Sequence, residues 1–273
     1  MKIWVVANQK GGVGKTTTTV SLAGHLVKQS KRVLLIDLDP HGSMTSYFGM
    51  EPEAPGVSVY SLFKAAAEKR SVDPMRTIHP TDFEQISIMP GSTALATLDR
   101  QLGSRPGMGL VLKRALANLV DQFDYVLIDC PPILGVTMVN ALAAAEYLIV
   151  PVQTEYLALK GLERMLRTLS MIQSSRKQRL DHAIVPTMYD QRTRASHDTL
   201  QLLRERYRHE LWPGVIPVDT QFREASRMGK PLPLIAPSAR GSVAYGELLD
   251  WLQGGQPQTV NSASTSAALA EGV

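Results

Sequence analysis

The chain has 273 residues, 44% of them hydrophobic and 20% charged, with a formal net charge of +4. That length can bury the core of one large α/β domain, with two small domains as the alternative. It holds no apolar run as long as a membrane span, no signal-peptide pattern at Met1-Lys2-Ile3, and a single cysteine, Cys130, so membrane insertion and an internal disulfide are not expected and a reducing cytoplasm is.

In chain order, short apolar runs recur: IWVVA (3–7), RVLLID (32–37), ISIM (86–89), YVLID (125–129), YLIVPV (147–152) and AIVP (183–186). Their Val and Ile content without alternation suggests strands buried on both faces, as in a parallel sheet. Helical patterns lie between and after them. One covers residues 16–29, and another places Leu162, Met165, Leu166, Leu169 and Ile172 on one face. Two more run from Ala195 to about Arg208 and from about Ser242 to Leu252. The alternation predicts a doubly wound, mostly parallel α/β sheet, with ligands at the carboxyl ends of the strands. Residues 254–273 carry one charge, Glu271, and no aromatic, and read as a disordered tail behind a domain spanning 1–253.

The segment VANQKGGVGKTTTT (5–18) follows a strand and opens a helix, which is the setting a phosphate-binding P-loop needs. Glycines let backbone N–H groups turn inward around phosphate oxygens. Lys15 then reaches the β- and γ-phosphates, the Thr16 hydroxyl ligates Mg²⁺, and the helix N-terminus adds its positive end. The usual G-x-x-x-x-G-K-[ST] pattern wants glycine at position 9, where this chain has Gln9. The segment instead fits K-G-G-x-G-K-[ST]-[ST], with Lys10 as a second lysine at the front of the loop.

In this it resembles the deviant P-loop of the ParA/MinD family of ATPases, over roughly residues 1–252. The resemblance implies that Lys10, Gly11, Gly12, Val13, Gly14, Lys15, Thr16 and Thr17 bind ATP. It also implies that Lys10 reaches across a dimer interface to the partner's phosphates. A lysine at the front of the loop cannot easily fold back onto a phosphate cradled by its own backbone, which agrees. LLIDLDPHGS (34–43) resembles the family's second motif: Asp37 as a carboxylate near the Mg²⁺ shell, and Asp39 as the residue that orients or deprotonates the attacking water. His41 stands where the family usually has Gln, and reads as a loop residue rather than a catalyst. FDYVLIDCPP (123–132) ends in Asp129, the carboxylate expected to hold a Mg²⁺-bound water. Pro131, Pro132 and Gly135 read as a loop sensing γ-phosphate, and Cys130 as a small buried residue. PTMYDQRT (186–193) and IPVDTQFREASRMGKP (216–231) are similar to the loops that flank adenine, with Thr187, Met188, Pro217 and Asp219 as contacts.

The chain's ends separate the subclasses. With no Lys or Arg after Arg240, the tail lacks the basic amphipathic helix of MinD-like membrane cyclers. The P-loop strand begins at residue 3, which leaves no room for the N-terminal DNA-binding domain of large plasmid-type members. A small ParA remains: a nucleotide-switched, ATP-dependent homodimer with slow, partner-stimulated hydrolysis, working through a cargo adaptor. DPHGSMTSYFG (39–49), STALATLDR (92–100) and KGLERMLRTL (160–169) resemble ParA-like proteins associated with chemotaxis operons, which implies chemoreceptor arrays at the cell pole as cargo. Chromosome or plasmid partition is the alternative cargo. A metal-delivery ATPase of the same superfamily would need paired cysteines, which the chain lacks.

The charge is uneven. Lys+Arg against Asp+Glu is 14 to 14 over residues 1–159, 15 to 8 over 160–240 and 0 to 3 over 241–273. Arg192 and Arg223 lie in the basic stretch and match family positions implicated in non-specific DNA binding, with Arg194, Arg227 and Lys230 able to widen the patch. The bland alternative is a solvated face, or pairing with the nearby Asp190 and Glu224.

Overall fold

The structure is a computed structural model that describes residues 1–54, 56–102, 105–176 and 178–254. The tail expected to be disordered lies, from residue 255 on, outside the described residues. The first half of the chain reads β1 (Lys2–Val6), α1 (Lys15–Lys28), β2 (Val33–Asp37), α2 (Ser43–Tyr47), α3 (Val59–Ala67), β3 (His79–Pro80), β4 (Ile86–Met89), α4 (Leu98–Leu102) and α5 (Val111–Ala117). The second half adds β5 (Tyr125–Asp129), α6 (Val136–Ala144), β6 (Tyr147–Gln153), α7 (Tyr156–Gln173), β7 (Asp181–Thr187), α8 (Arg194–Arg206), α9 (Gln221–Arg227), α10 (Leu232–Ile235) and α11 (Arg240–Gly254).

The strands form one seven-stranded sheet in the order β3-β4-β2-β5-β1-β6-β7. Every pairing is parallel except that of β3 with β4. All six strands expected from the sequence are present. The added one, β3, is a two-residue edge strand containing Pro80, which suits an edge because proline cannot donate to a ladder.

Continuous apolar strands work here because successive side chains enter different cores. From β1, Val5 packs with α3, α5, α6 and α7, while Trp4 and Val6 pack with α1 and α11. Trp4 also meets Tyr125 edge to face, with ring centroids 5.1 Å apart. On α7, Leu162, Met165 and Leu169 are buried, as the helical spacing predicts. The chain leaves β1 toward β2 on one side and reaches β6 on the other, so β1 sits at the sheet's turning point. Its carboxyl end opens into a crevice there, the usual place for a ligand in such a sheet.

Candidate active site

The loop between β1 and α1 turns twice through left-handed backbone, at Gly12 (φ 72°) and Gly14 (φ 87°), where a side chain would be strained. Gly14 starts α1 and accepts from the Thr18 amide at 2.8 Å. Four successive threonines are poor helix formers, yet here each is used. Thr16 and Thr17 line the cleft. Buried Thr18 shares a hydrogen bond with the Tyr245 hydroxyl at 2.8 Å, and Thr19 bonds back to the Lys15 carbonyl at 3.0 Å.

A cleft of about 490 Å³ is lined by Gly11, Gly12, Gly14, Lys15, Thr16, Thr17, Asp39 and His41 among others. Lys15 is buried, and its ammonium donates to the Lys10 carbonyl at 3.2 Å. Val13 is also fully buried, and its carbonyl accepts from the Thr187 hydroxyl at 2.9 Å, tying the loop to the end of β7. Gln9, the residue that departs from the usual P-loop, donates to Thr168 of α7 at 2.7 Å. The buried Asn8 donates to the Pro151 carbonyl at 2.7 Å. The front of the loop is thereby moored to β6 and α7.

Lys10 turns away from the phosphate cleft and forms an ion pair with Glu155, the residue just before α7. Gly161 makes room for it, since a Cβ there would lie 2.9 Å from the Lys10 Cβ. Glu155 escaped the sequence reading, because its role depends on α7 crossing the loop rather than on any spacing.

Asp37 and Asp129 end the adjacent strands β2 and β5 at the same register. Both are buried, and burial holds both carboxyls well above the usual carboxylate range; for Asp129 the neighbouring Asp37 adds to it. Asp37 sits beneath the cleft with its oxygens already occupied. Oδ1 accepts from the Asp39 amide at 3.1 Å, and Oδ2 from the Thr45 amide at 2.8 Å and hydroxyl at 2.7 Å. It therefore shapes the turn into α2. Thr45, invisible as a site residue in the sequence, is what satisfies it.

Asp129 is placed differently. Oδ2 accepts from the Thr16 hydroxyl at 2.5 Å, while the buried Oδ1 has no hydrogen-bond partner among the described residues. A buried carboxylate with an unsatisfied oxygen beside a hydroxyl is costly unless a cation or its water completes it. Thr16 and Asp129 therefore fit a divalent ion on the phosphates, directly or through water. Cys130 follows Asp129, fully buried, with its thiol pushed up by desolvation. It is the inert small residue expected.

A second cleft of about 640 Å³ continues from the first and is lined by Thr187, Met188, Pro217, Asp219, Phe222 and Arg223. All four residues expected near adenine thus meet in one place. Two of them have their side-chain groups engaged with the backbone. Thr187 donates to Val13, and the Asp219 carboxylate accepts from the amides of Gln221 and Gly241, each at 3.0 Å. Met188 and Pro217 remain as apolar surfaces for a base. Met188 holds a left-handed backbone, φ 52°, unusual for a side chain of its size. Phe222 lines both clefts and was not anticipated.

Of the two arginines expected to meet DNA, Arg192 is largely exposed yet doubly hydrogen-bonded to Asp190, whose carboxyl it holds down at about 2. Exposed Arg223 has no ion pair among the described residues and lines the second cleft. Glu224 pairs with Arg227 instead.

With a phosphate-binding loop opening a helix at the turning point of a parallel sheet, the class is that of the P-loop ATPases. A family described as "AAA domain" matches residues 1–182. The sporulation initiation inhibitor protein Soj of Bacillus subtilis is 37% identical over 248 residues, 90% of this chain and 96% of that protein. The chromosome partitioning protein ParA of Myxococcus xanthus is 31% identical over 245 residues, 89% of this chain and 85% of that protein. Among solved structures, one called cobyrinic acid a,c-diamide synthase from Mycobacterium smegmatis, with bound ATP analog and magnesium, is 37% identical with a TM-score of 0.79. It covers 94% of this chain and 97% of its own. Apo McdA of Cyanothece shares the fold, with a TM-score of 0.81 at 23% identity over 93% of this chain and all of that one. The chain belongs to the ParA/MinD family of P-loop ATPases.

Proposed function

We propose that this chain binds ATP with Mg²⁺, dimerises over two nucleotides, and hydrolyses them slowly under the control of an adaptor protein. In this reading Lys15 and the loop amides hold the phosphates, with the helix end aiding them. Thr16 and Asp129 hold the cation. Asp39 orients the attacking water, and phosphoryl transfer then needs little beyond positioning and charge neutralisation.

The observation that carries the reading is Lys10. It is a lysine of the phosphate loop whose ammonium is held at the rim by Glu155, away from the chain's own phosphate cleft. Exchanging Glu155 for the charge of a facing nucleotide gives that lysine a use. Apolar side chains flank the loop on both sides and support a partner surface. Ile133 and Leu134 follow β5 and are 69% and 42% exposed; Tyr156 and Leu157 open α7 and are 68% and 64% exposed. Light scattering with ATP and Mg²⁺, against ADP and a Lys10→Ala control, tests this. A dimer that ignores both nucleotide and Lys10 rejects it.

The dimer then binds DNA without sequence preference and positions a cargo, in the cytoplasm, on the nucleoid or at a pole. No helix among the described residues is long and apolar enough to cross a membrane. Chromosome or plasmid partition is the cargo most in keeping with the names of the Soj and ParA relatives. Placement of chemoreceptor arrays rests only on the segments at 39–49, 92–100 and 160–169. Deleting the gene and following origin and receptor foci separates them.

A further inference from the structure

The turn between β2 and α2 contains a contact that the family resemblance does not supply. Oδ1 of Asp39 accepts two hydrogen bonds from one residue, the His41 amide at 3.0 Å and the His41 Nδ1 at 2.9 Å. Asp39 Oδ2 has no hydrogen bond among the described residues. The backbone of the turn is fixed independently of the ring. The Asp39 amide is held by Asp37 at 3.1 Å, and the Gly42 amide donates to the Asp39 carbonyl at 2.9 Å. Gly42 has φ 59° and lies so close to Pro52 that a Cβ there would come within 2.1 Å of its ring. Both Asp39 and His41 line the phosphate cleft with Lys15 and Thr16. The carboxylate of Asp39 is 14% exposed, while the His41 side chain is 82% exposed.

Rotation about the Cβ–Cγ bond moves Oδ1, and a single amide bond tolerates part of that swing. A second donor on the same oxygen, arriving from a ring in another direction, narrows the rotation and with it the position of Oδ2. We propose that His41 is the positioning residue of Asp39: it anchors Oδ1 through Nδ1–H and leaves Oδ2 free to accept from the attacking water. The exposure of the ring suits this role, because it packs against no core and its main interaction is with the carboxylate. Geometric control of this kind is worth a large factor in rate, since small misplacements of a reacting group are costly. This rests on the reading of Asp39 as the water-orienting carboxylate.

The test compares wild type with His41→Ala, His41→Asn and Asp39→Ala, measuring kcat, KM for ATP and the ATP-dependent dimer. His41→Ala is expected to lower kcat about tenfold while KM and dimerisation stay at wild-type values. Asn carries an amide nitrogen where His carries Nδ1, so His41→Asn is expected to recover kcat to within about threefold. In wild type, the imidazole ¹⁵N spectrum should show a protonated Nδ1 whose resonance moves in Asp39→Ala. Because the ring is exposed, the His41 variants should melt with wild type. If His41→Ala turns over like wild type while Asp39→Ala is slow, or His41→Asn is no faster than His41→Ala, the positioning role is overturned and the reading of Asp39 survives. If Asp39→Ala is as active as wild type, both fall together.

Discussion

At the phosphate end of the cleft, one unbroken stretch from Lys10 to Thr17 supplies the lysines, the turning glycines and the hydroxyls. At the far end, the walls come from separate loops, Thr187–Met188 after β7 and Pro217–Arg223 leading into α9. At the first end Val13 and Lys15 are buried beneath an exposed Gly11–Gly12 turn, and the side chains of Lys10, Lys15 and Thr16 each have a polar partner. At the second, the polar side chains that could specify a base, Thr187 and Asp219, are tied to the backbone. A local motif can therefore concentrate charge recognition in a few residues whose loss is severe, while the base end spreads weaker apolar contact over many.

The sharpest way to break that contrast is Lys15→Ala. Removing the buried ammonium leaves phosphate charge uncompensated, and about 4 kcal/mol, near a thousandfold in ATP affinity, is expected to go. Calorimetry checks it, and nearly normal binding would mean the phosphates sit elsewhere. Asp39→Ala should bind ATP as wild type does but lose turnover about a hundredfold and persist as a dimer. Normal phosphate release would move the hydrolytic role away from the turn after β2.

Lys10→Ala divides the phosphate end itself. If its target is the partner's nucleotide, as proposed, dimer affinity should fall about thirtyfold while monomer affinity for ATP moves by less than about threefold. Equal losses in both would place Lys10 on its own nucleotide. On the basic face, Arg192→Glu with Arg223→Glu should weaken binding to random duplex DNA about tenfold and flatten its salt dependence, with the ATP dimer intact. Arg192 begins from an ion pair with Asp190, so the single Arg223→Glu change should carry the larger share. Smallest of all, Met188→Ala at the base end should cost about threefold in ATP affinity, the scale of one partly exposed apolar contact. A larger loss would show that the two ends are more alike than their construction implies.

What could be read from the sequence follows the same division. The P-loop was legible because its chemistry is contiguous, and the six main strands because burial on both faces demands unbroken Val, Ile and Leu. The ends of α8, expected at 195 and about 208, fall at Arg194 and Arg206. β3 was not legible, since two residues containing a proline have no periodicity. Nor were α2 and α10, each too short to show a face. Within the candidate site, Lys10, Asp39 and Asp129 are marked by motif and strand end. Glu155, Thr45 and Phe222 are not, because nothing local connects them to the groups they meet, Lys10, Asp37 and the two clefts. His41, which departs from the family pattern, reads from the sequence as a loop residue; only the folded turn brings its ring onto Asp39.

Cys130 has a practical consequence. Its thiol is fully buried next to Asp129 and pushed up by desolvation, so maleimide reagents should leave the folded chain unlabelled. A second thiol placed on the surface, for instance by Met171→Cys on the exposed side of α7, would then be the sole reactive group without any change to the native cysteine. One probe per chain, on a helix that begins beside Lys10, would become two in the proposed nucleotide-held pair. Their separation can be followed by spin or fluorescence spectroscopy as ATP is bound and spent.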